Sequence, residues 1–193
     1  HASTPGTGRE LWRSDGTAAG TAMVADLCPG PCGFFDTAIS PSFVGSPQLL
    51  FFLRYDGTKT DLWRSDGTAG GTFVVRESAV GNSVPAVLGT SLLFAAESSV
   101  SGRELWATDG TVAGTVQLTE RVANSSDPTE PTIAGSRLFF QARETATGND
   151  LWVTEGTEAT TFPLEVSPGP GGATLLRPAA LGSAFLSDIA LTP

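Results

Sequence analysis

Leu11-Trp12-Arg13-Ser14-Asp15-Gly16-Thr17-Ala18-Ala19-Gly20-Thr21 is the first of four variants of one eleven-residue stretch. Leu62-Trp63-Arg64-Ser65-Asp66-Gly67-Thr68-Ala69-Gly70-Gly71-Thr72 is nearly the same, and Leu105-Trp106-Ala107-Thr108-Asp109-Gly110-Thr111-Val112-Ala113-Gly114-Thr115 is close. The fourth, Leu151-Trp152-Val153-Thr154-Glu155-Gly156-Thr157-Glu158-Ala159-Thr160-Thr161, has Glu for Asp and Thr for the second Gly. All four tryptophans of the chain, Trp12, Trp63, Trp106 and Trp152, sit in these copies, spaced by 51, 43 and 46 residues. Self-similarity on this scale belongs to repeat architectures, in which one unit cannot bury its own faces and is stabilised by its neighbours.

Other landmarks keep the same step. A Pro-x-x-x-Gly element recurs at Pro41/Gly45, Pro85/Gly89, Pro131/Gly135 and Pro178/Gly182. An apolar run follows each: Leu49-Leu50-Phe51-Phe52, Leu92-Leu93-Phe94, Leu138-Phe139-Phe140 and Ala184-Phe185-Leu186. An acid precedes each Leu-Trp, at Glu10, Asp61, Glu104 and Asp150. Each unit therefore reads as four short strands: a around the proline, b the apolar run, c the acid-Leu-Trp segment, and d after the second Gly-Thr. Turns rich in Gly, Asp, Ser and Pro part them. Leu and Trp are neighbours, so on a strand they point to opposite faces, and both are apolar in every copy. Strands buried on both faces lose the polar/apolar alternation.

Sheets stacked radially meet that condition. The expected fold is all-β, a β-propeller of four four-stranded blades of about 47 residues. We expect a single repeat domain over 1–193, with units at about 8–58, 59–101, 102–148 and 149–193. Residues 8–25 supply c and d with no a and b before them, and residues 175–189 supply a and b with no c and d after them. Joined, the two ends complete the fourth blade and remove open edges. The alternative is half of an eight-bladed ring formed by a homodimer.

Glu10-Leu11-Trp12-Arg13-Ser14-Asp15-Gly16-Thr17 and Glu104-Leu105-Trp106-Ala107-Thr108-Asp109-Gly110-Thr111 carry the pattern ELWxxDGT in full. Asp61 and Asp150 replace the leading Glu in the other copies, and Glu155 the turn Asp in the last. Over all four units the chain resembles the bacterial ELWxxDGT repeat family. That resemblance implies a secreted or surface repeat protein, and it implies no defined activity. The ten arginines against the single Lys59 fit a GC-rich source.

Composition narrows the function. A net charge of −9 argues against nucleic acid and anionic membrane surfaces as partners. No apolar run approaches the ~18 residues a spanning helix needs. Cys28 and Cys32, in Cys-Pro-Gly-Pro-Cys, read as a local disulfide and hence an oxidising compartment; two unpaired thiols are the alternative. Closing so short a loop stabilises by only about 2 kcal/mol. With His1 the one histidine, the pair cannot complete a zinc site, and no Ser-His-Asp arrangement can form in the core.

Two readings compete for the acids of the repeated turns. Asp15, Asp66, Asp109 and Glu155 could bind calcium, but that ion takes about six to eight oxygens and each turn offers one carboxylate. The simpler reading is structural: Asp accepts backbone N–H bonds and Gly takes the positive φ of a tight turn. The four tryptophans are then core. No cofactor fingerprint is present. The c–d and a–b turns lie at one end of each sheet and are uniform; the b–c and d–a connections lie at the other and vary. Binding concentrates on variable loops held by a rigid frame. The expected function is a secreted or surface binding module with a glycan or protein ligand, for which Phe34, Phe35 and Tyr55 are the loop aromatics. A purely structural assembly unit and a glycosidase-like enzyme using paired carboxylates are the alternatives.

Overall fold

The structure is a computed structural model that describes residues 2–4, 8–28, 43–45, 48–56, 58–78, 85–119, 125–144, 148–166 and 172–191. These are all-β, with one short 3-10 turn at Glu158–Thr160 and no α-helix among them. No helix is long and apolar enough to cross a membrane. Contacts gather into two compact units, His1–Ala79 and Val80–Pro193.

In the first unit, β1 (Ala2–Thr4), β2 (Gly8–Arg13) and β3 (Ala22–Ala25) form one antiparallel sheet. β4 (Phe43–Gly45), β5 (Leu50–Tyr55), β6 (Thr60–Ser65) and β7 (Phe73–Arg76) form the next, in chain order. The second unit repeats that plan. β8 (Ala86–Leu88), β9 (Ser91–Ser98), β10 (Gly102–Thr108) and β11 (Val116–Gln117) make one sheet. β12 (Thr129–Ala134), β13 (Arg137–Glu144), β14 (Gly148–Thr154) and β15 (Phe162–Pro163) make another. β16 (Ala173–Leu181) and β17 (Ala184–Leu191) pair as a hairpin. The three complete sheets are strands a to d of the sequence reading.

Register is the same in each complete sheet. Trp63 lies opposite Phe52, Trp106 opposite Phe94, and Trp152 opposite Phe140. Such aromatic cross-strand pairs fix alignment, because a slip of one residue would carry every apolar side chain to the wrong face. The Leu-Trp step puts apolar groups on both faces, and the packing uses both. Leu93, Leu105, Ala107 and Leu118 of one sheet form a single buried cluster with Leu138, Phe140, Ala142 and Trp152 of the next. In the first unit, Leu11 of β2 packs with Phe52, Leu50 and Trp63. Within each unit, then, the leucine face of one sheet meets the tryptophan face of the next.

The start of the chain departs from expectation. Residues 2–4 occupy the lane of strand b against β2, with Ala2 opposite Glu10 and Thr4 opposite Gly8. These pairs match Ala96 with Glu104 and Ala142 with Asp150. Three residues of Ala, Ser and Thr carry no readable periodicity, and the neighbouring strand edge supplies the hydrogen bonds that make them a strand.

Candidate functional site

Each eleven-residue motif closes on itself through hydrogen bonds, and every recurring letter has a part. The Asp15 Oδ1 accepts from the Thr17 backbone N–H at 2.9 Å and from its hydroxyl at 2.8 Å. Asp66 does the same with Thr68, at 2.9 and 2.7 Å, and Asp109 with Thr111, both at 2.8 Å. The Thr17 hydroxyl accepts from Gly20 N–H, and the Thr17 carbonyl accepts from the Thr21 hydroxyl. Ser14 accepts from Gly16 N–H and shares a hydrogen bond with Thr21 across the hairpin. Gly16, Gly67, Gly110 and Gly156 have φ of 92°, 87°, 91° and 96°, a region that glycine enters without steric cost. The Thr17 N–H, followed by its hydroxyl, holds the Asp15 carboxyl below the usual carboxylate range; at Asp66 the Thr68 hydroxyl has the larger effect.

The second glycine is required by space. A Cβ built on Gly20, Gly71 or Gly114 would overlap the carboxylate of Asp15, Asp66 or Asp109 respectively. None of the three has a left-handed backbone, so conformational freedom is not the reason. The fourth copy changes both partners together. Thr160 fills the glycine's place, and its hydroxyl accepts from the N–H of Thr157 at 3.3 Å and of Glu155 at 3.2 Å. It thereby takes over the aspartate's role. Glu155 turns away to Arg137, whose Nε donates to Oε1 at 2.9 Å.

The acids before Leu-Trp serve the opposite end of each sheet. Glu10, Glu104 and Asp150 are fully buried and Asp61 nearly so. The Leu27 N–H donates to Glu10 Oε2 at 3.1 Å, Ser78 N–H to Asp61 Oδ1 at 3.0 Å, and Val166 N–H to Asp150 Oδ1 at 3.1 Å. Glu104 Oε2 accepts from the Thr119 hydroxyl at 2.6 Å. In each sheet, then, a buried carboxylate holds the chain where it leaves strand d. Burial pushes the Glu104 carboxyl up, opposed by hydrogen bonds from Ser126 and Thr119. Glu104 Oε1 has no hydrogen-bond partner among the described residues.

A further turn of the same chemistry escaped the sequence reading. Asp56 Oδ1 accepts from Thr58 N–H, the Thr58 hydroxyl and Lys59 N–H, and these bonds hold its carboxyl well below the usual range. Asp56-Gly57-Thr58 repeats the Asp-Gly-Thr letters at the b–c end, which is the signal that could have found it. Lys59 there bridges Glu77 at 2.9 Å and Asp61 at 3.5 Å.

The structure places one of Asp15, Asp66, Asp109 and Glu155 in each motif turn, and among the described residues no three His, Cys, Asp or Glu side chains gather as a metal would need. Trp152 is buried against Phe140, Trp63 is half-buried and stacked on Phe52 at 6.3 Å, and Trp12 and Trp106 are half-buried. Tyr55 is half-buried at the end of β5. Cys28 packs beside Leu11 and Phe52, while its expected partner Cys32, with Phe34 and Phe35, lies outside the described residues.

No family model and no curated protein matches the chain. Among solved structures it is similar to TolB from Acinetobacter baumannii, at 14% identity and a TM-score of 0.46 over 98% of this chain. The chain spans about half of that structure's length, 48%.

Proposed function

We propose that the chain is an extracellular or envelope-exposed interaction module whose sheets are blades of a β-propeller. In this reading β2 and β3 are strands c and d of a blade whose b lane is begun by residues 2–4. A glycan or protein ligand is bound by the segments that follow strand d. One observation carries the proposal: a buried carboxylate anchors the root of every such segment, at Leu27, Ser78, Thr119 and Val166. The segments themselves differ in length and sequence. A uniform frame that rigidly presents non-uniform loops is how binding surfaces are built. The same reading takes Cys28 and Cys32 as a local disulfide, which belongs to an oxidising location.

The test is a glycan microarray probed with the chain and with a variant in which residues 120–124 and 167–171 become Gly-Ser linkers. Expected is selective binding that the variant loses while its thermal unfolding stays unchanged. Selective binding that survives the exchange would refute the assignment of the ligand to these loops.

A further inference from the structure

Three of the four motif turns contain an Asp-Gly bond, at Asp15-Gly16, Asp66-Gly67 and Asp109-Gly110. Asp-Gly is the peptide linkage most prone to isomerise, because glycine sets no side chain in the way of ring closure. The glycine amide nitrogen bonds to the aspartate Cγ, its proton leaves with the carboxyl hydroxyl as water, and a succinimide forms. Water then opens the ring. Opening at the main-chain carbonyl leaves an isoaspartate, whose chain runs through the side-chain carboxyl, and the water lost is regained.

Both partners in that closure are held apart in this turn. The Gly16 N–H donates to Ser14 Oγ at 3.1 Å, the Gly67 N–H to Ser65 Oγ at 3.0 Å, and the Gly110 N–H to Thr108 Oγ1 at 3.0 Å. Those hydroxyls are themselves tied across the hairpin to Thr21, Thr72 and Thr115, at 2.6, 2.8 and 2.7 Å. The nucleophilic nitrogen thus has its hydrogen and its peptide plane fixed toward the strand. The electrophile is fixed elsewhere, since Oδ1 of each aspartate accepts the N–H and hydroxyl of Thr17, Thr68 or Thr111. Swinging Cγ onto the glycine nitrogen breaks both of those bonds. The same bonds favour the ionised form of Asp15 and Asp66, and a carboxylate is a poorer acyl group than the acid.

The fourth copy changes the acid. Thr154 Oγ1 still accepts from the Gly156 N–H at 2.9 Å, but the carboxylate has left the turn for Arg137. That carboxylate belongs to Glu155, whose closure needs a six-membered ring and is far slower. The turn gives up its hold on the acid only where the acid cyclises poorly.

We propose that the repeated turn protects its own Asp-Gly bonds from isomerisation, and that the hydroxyl before each aspartate, at Ser14, Ser65 and Thr108, is the protecting group. The inference is independent of any ligand bound by the loops. The intact chain is stored warm at neutral pH, folded and in concentrated guanidinium chloride, and isoaspartate at each site is read by electron-transfer fragmentation of its peptides. Folded chain is expected to isomerise at Asp15, Asp66 and Asp109 at least about tenfold more slowly than denatured chain, because the turn must open first. Ser65→Ala is expected to raise the folded rate at Asp66 about fivefold, the factor that one ordinary hydrogen bond carries, with Asp15 and Asp109 unchanged. Ser65→Thr keeps the hydroxyl, as Thr108 does in the third copy, and is expected to keep the slow rate. An Asp66 rate that is the same folded and denatured, or one that Ser65→Ala does not move, would overturn the inference. So would an equal rise at all three aspartates, which would assign the effect to general loss of stability.

Discussion

Replacing Gly71 by alanine isolates the steric logic of the repeated motif. At an ordinary helical or extended φ, Gly→Ala stabilises by about 0.4–1 kcal/mol, because the unfolded chain loses freedom. Gly71 is outside the left-handed region, yet its Cβ would fall on the Asp66 carboxylate. The carboxylate must leave, and with it go the bonds from Thr68 N–H at 2.9 Å and the Thr68 hydroxyl at 2.7 Å. Hydrogen bonds to a charged group are stronger than neutral ones, although solvent at this exposed turn weakens them. A net loss of stability is expected for Gly71→Ala, opposite in sign to the ordinary gain of about 0.4–1 kcal/mol. Asp66→Ala alone should cost about as much, since it removes the same bonds. Once Asp66 is gone, adding Gly71→Ala should restore the ordinary gain of about 0.4–1 kcal/mol, so the effect of the alanine changes sign within the cycle. Urea denaturation of the four proteins in the cycle measures it. Losses that add to within about 0.5 kcal/mol, the behaviour of independent sites, would refute the reasoning. The fourth copy is the same experiment within the chain, since Thr160 replaces the glycine where Glu155 replaces the aspartate.

The remaining expectations concern the buried and turn carboxylates. Glu104 has its folded pKa raised by burial, so its contribution is full below the unfolded value of about 4.3 and is lost as pH rises through the folded value. Glu104→Gln should therefore stabilise by about 1 kcal/mol at pH 8 and flatten the dependence of thermal midpoint on pH above 4.5; an unchanged pH profile would contradict this. Asp15 and Asp66 are lowered, so their stabilisation is present above the unfolded value of about 3.9 and is lost as pH falls through the folded value. Asp66→Asn should accordingly make stability less steep in pH as pH falls below about 4, as followed by acid titration of the far-UV signal. Asp150→Ala removes the acceptor of the Leu151 and Val166 amides and should cost about 2–3 kcal/mol. Hydrogen exchange at Val166 should accelerate more than at Leu105, and equal acceleration at both would point to a general loss of structure.

Strand order and the repeat were legible because they rest on local rules. The Leu-Trp step in four copies announced sheets buried on both faces, and the clusters joining Leu105 with Trp152 and Leu11 with Trp63 bear that out. The Asp-Gly-Thr turns were legible because an Asp two residues before a Thr can satisfy that residue's N–H without any distant help. The acids before Leu-Trp are visible in the sequence as letters that keep step with the tryptophans. Their actual partners lie 15–17 residues onward, a separation that no local rule spans.

Side-chain letters and spacing alone determined that this protein is made of repeated antiparallel units of short strands joined by Asp-Gly-Thr turns, because hydrogen-bonded turns and strand faces are properties of neighbouring residues. Three things needed the tertiary structure: the second glycine is a space for a carboxylate, Glu155 belongs to Arg137, and the acids before Leu-Trp hold the chain beyond strand d. Each depends on which atoms from distant parts of the chain share one volume, and exclusion of overlapping atoms is decided only in three dimensions.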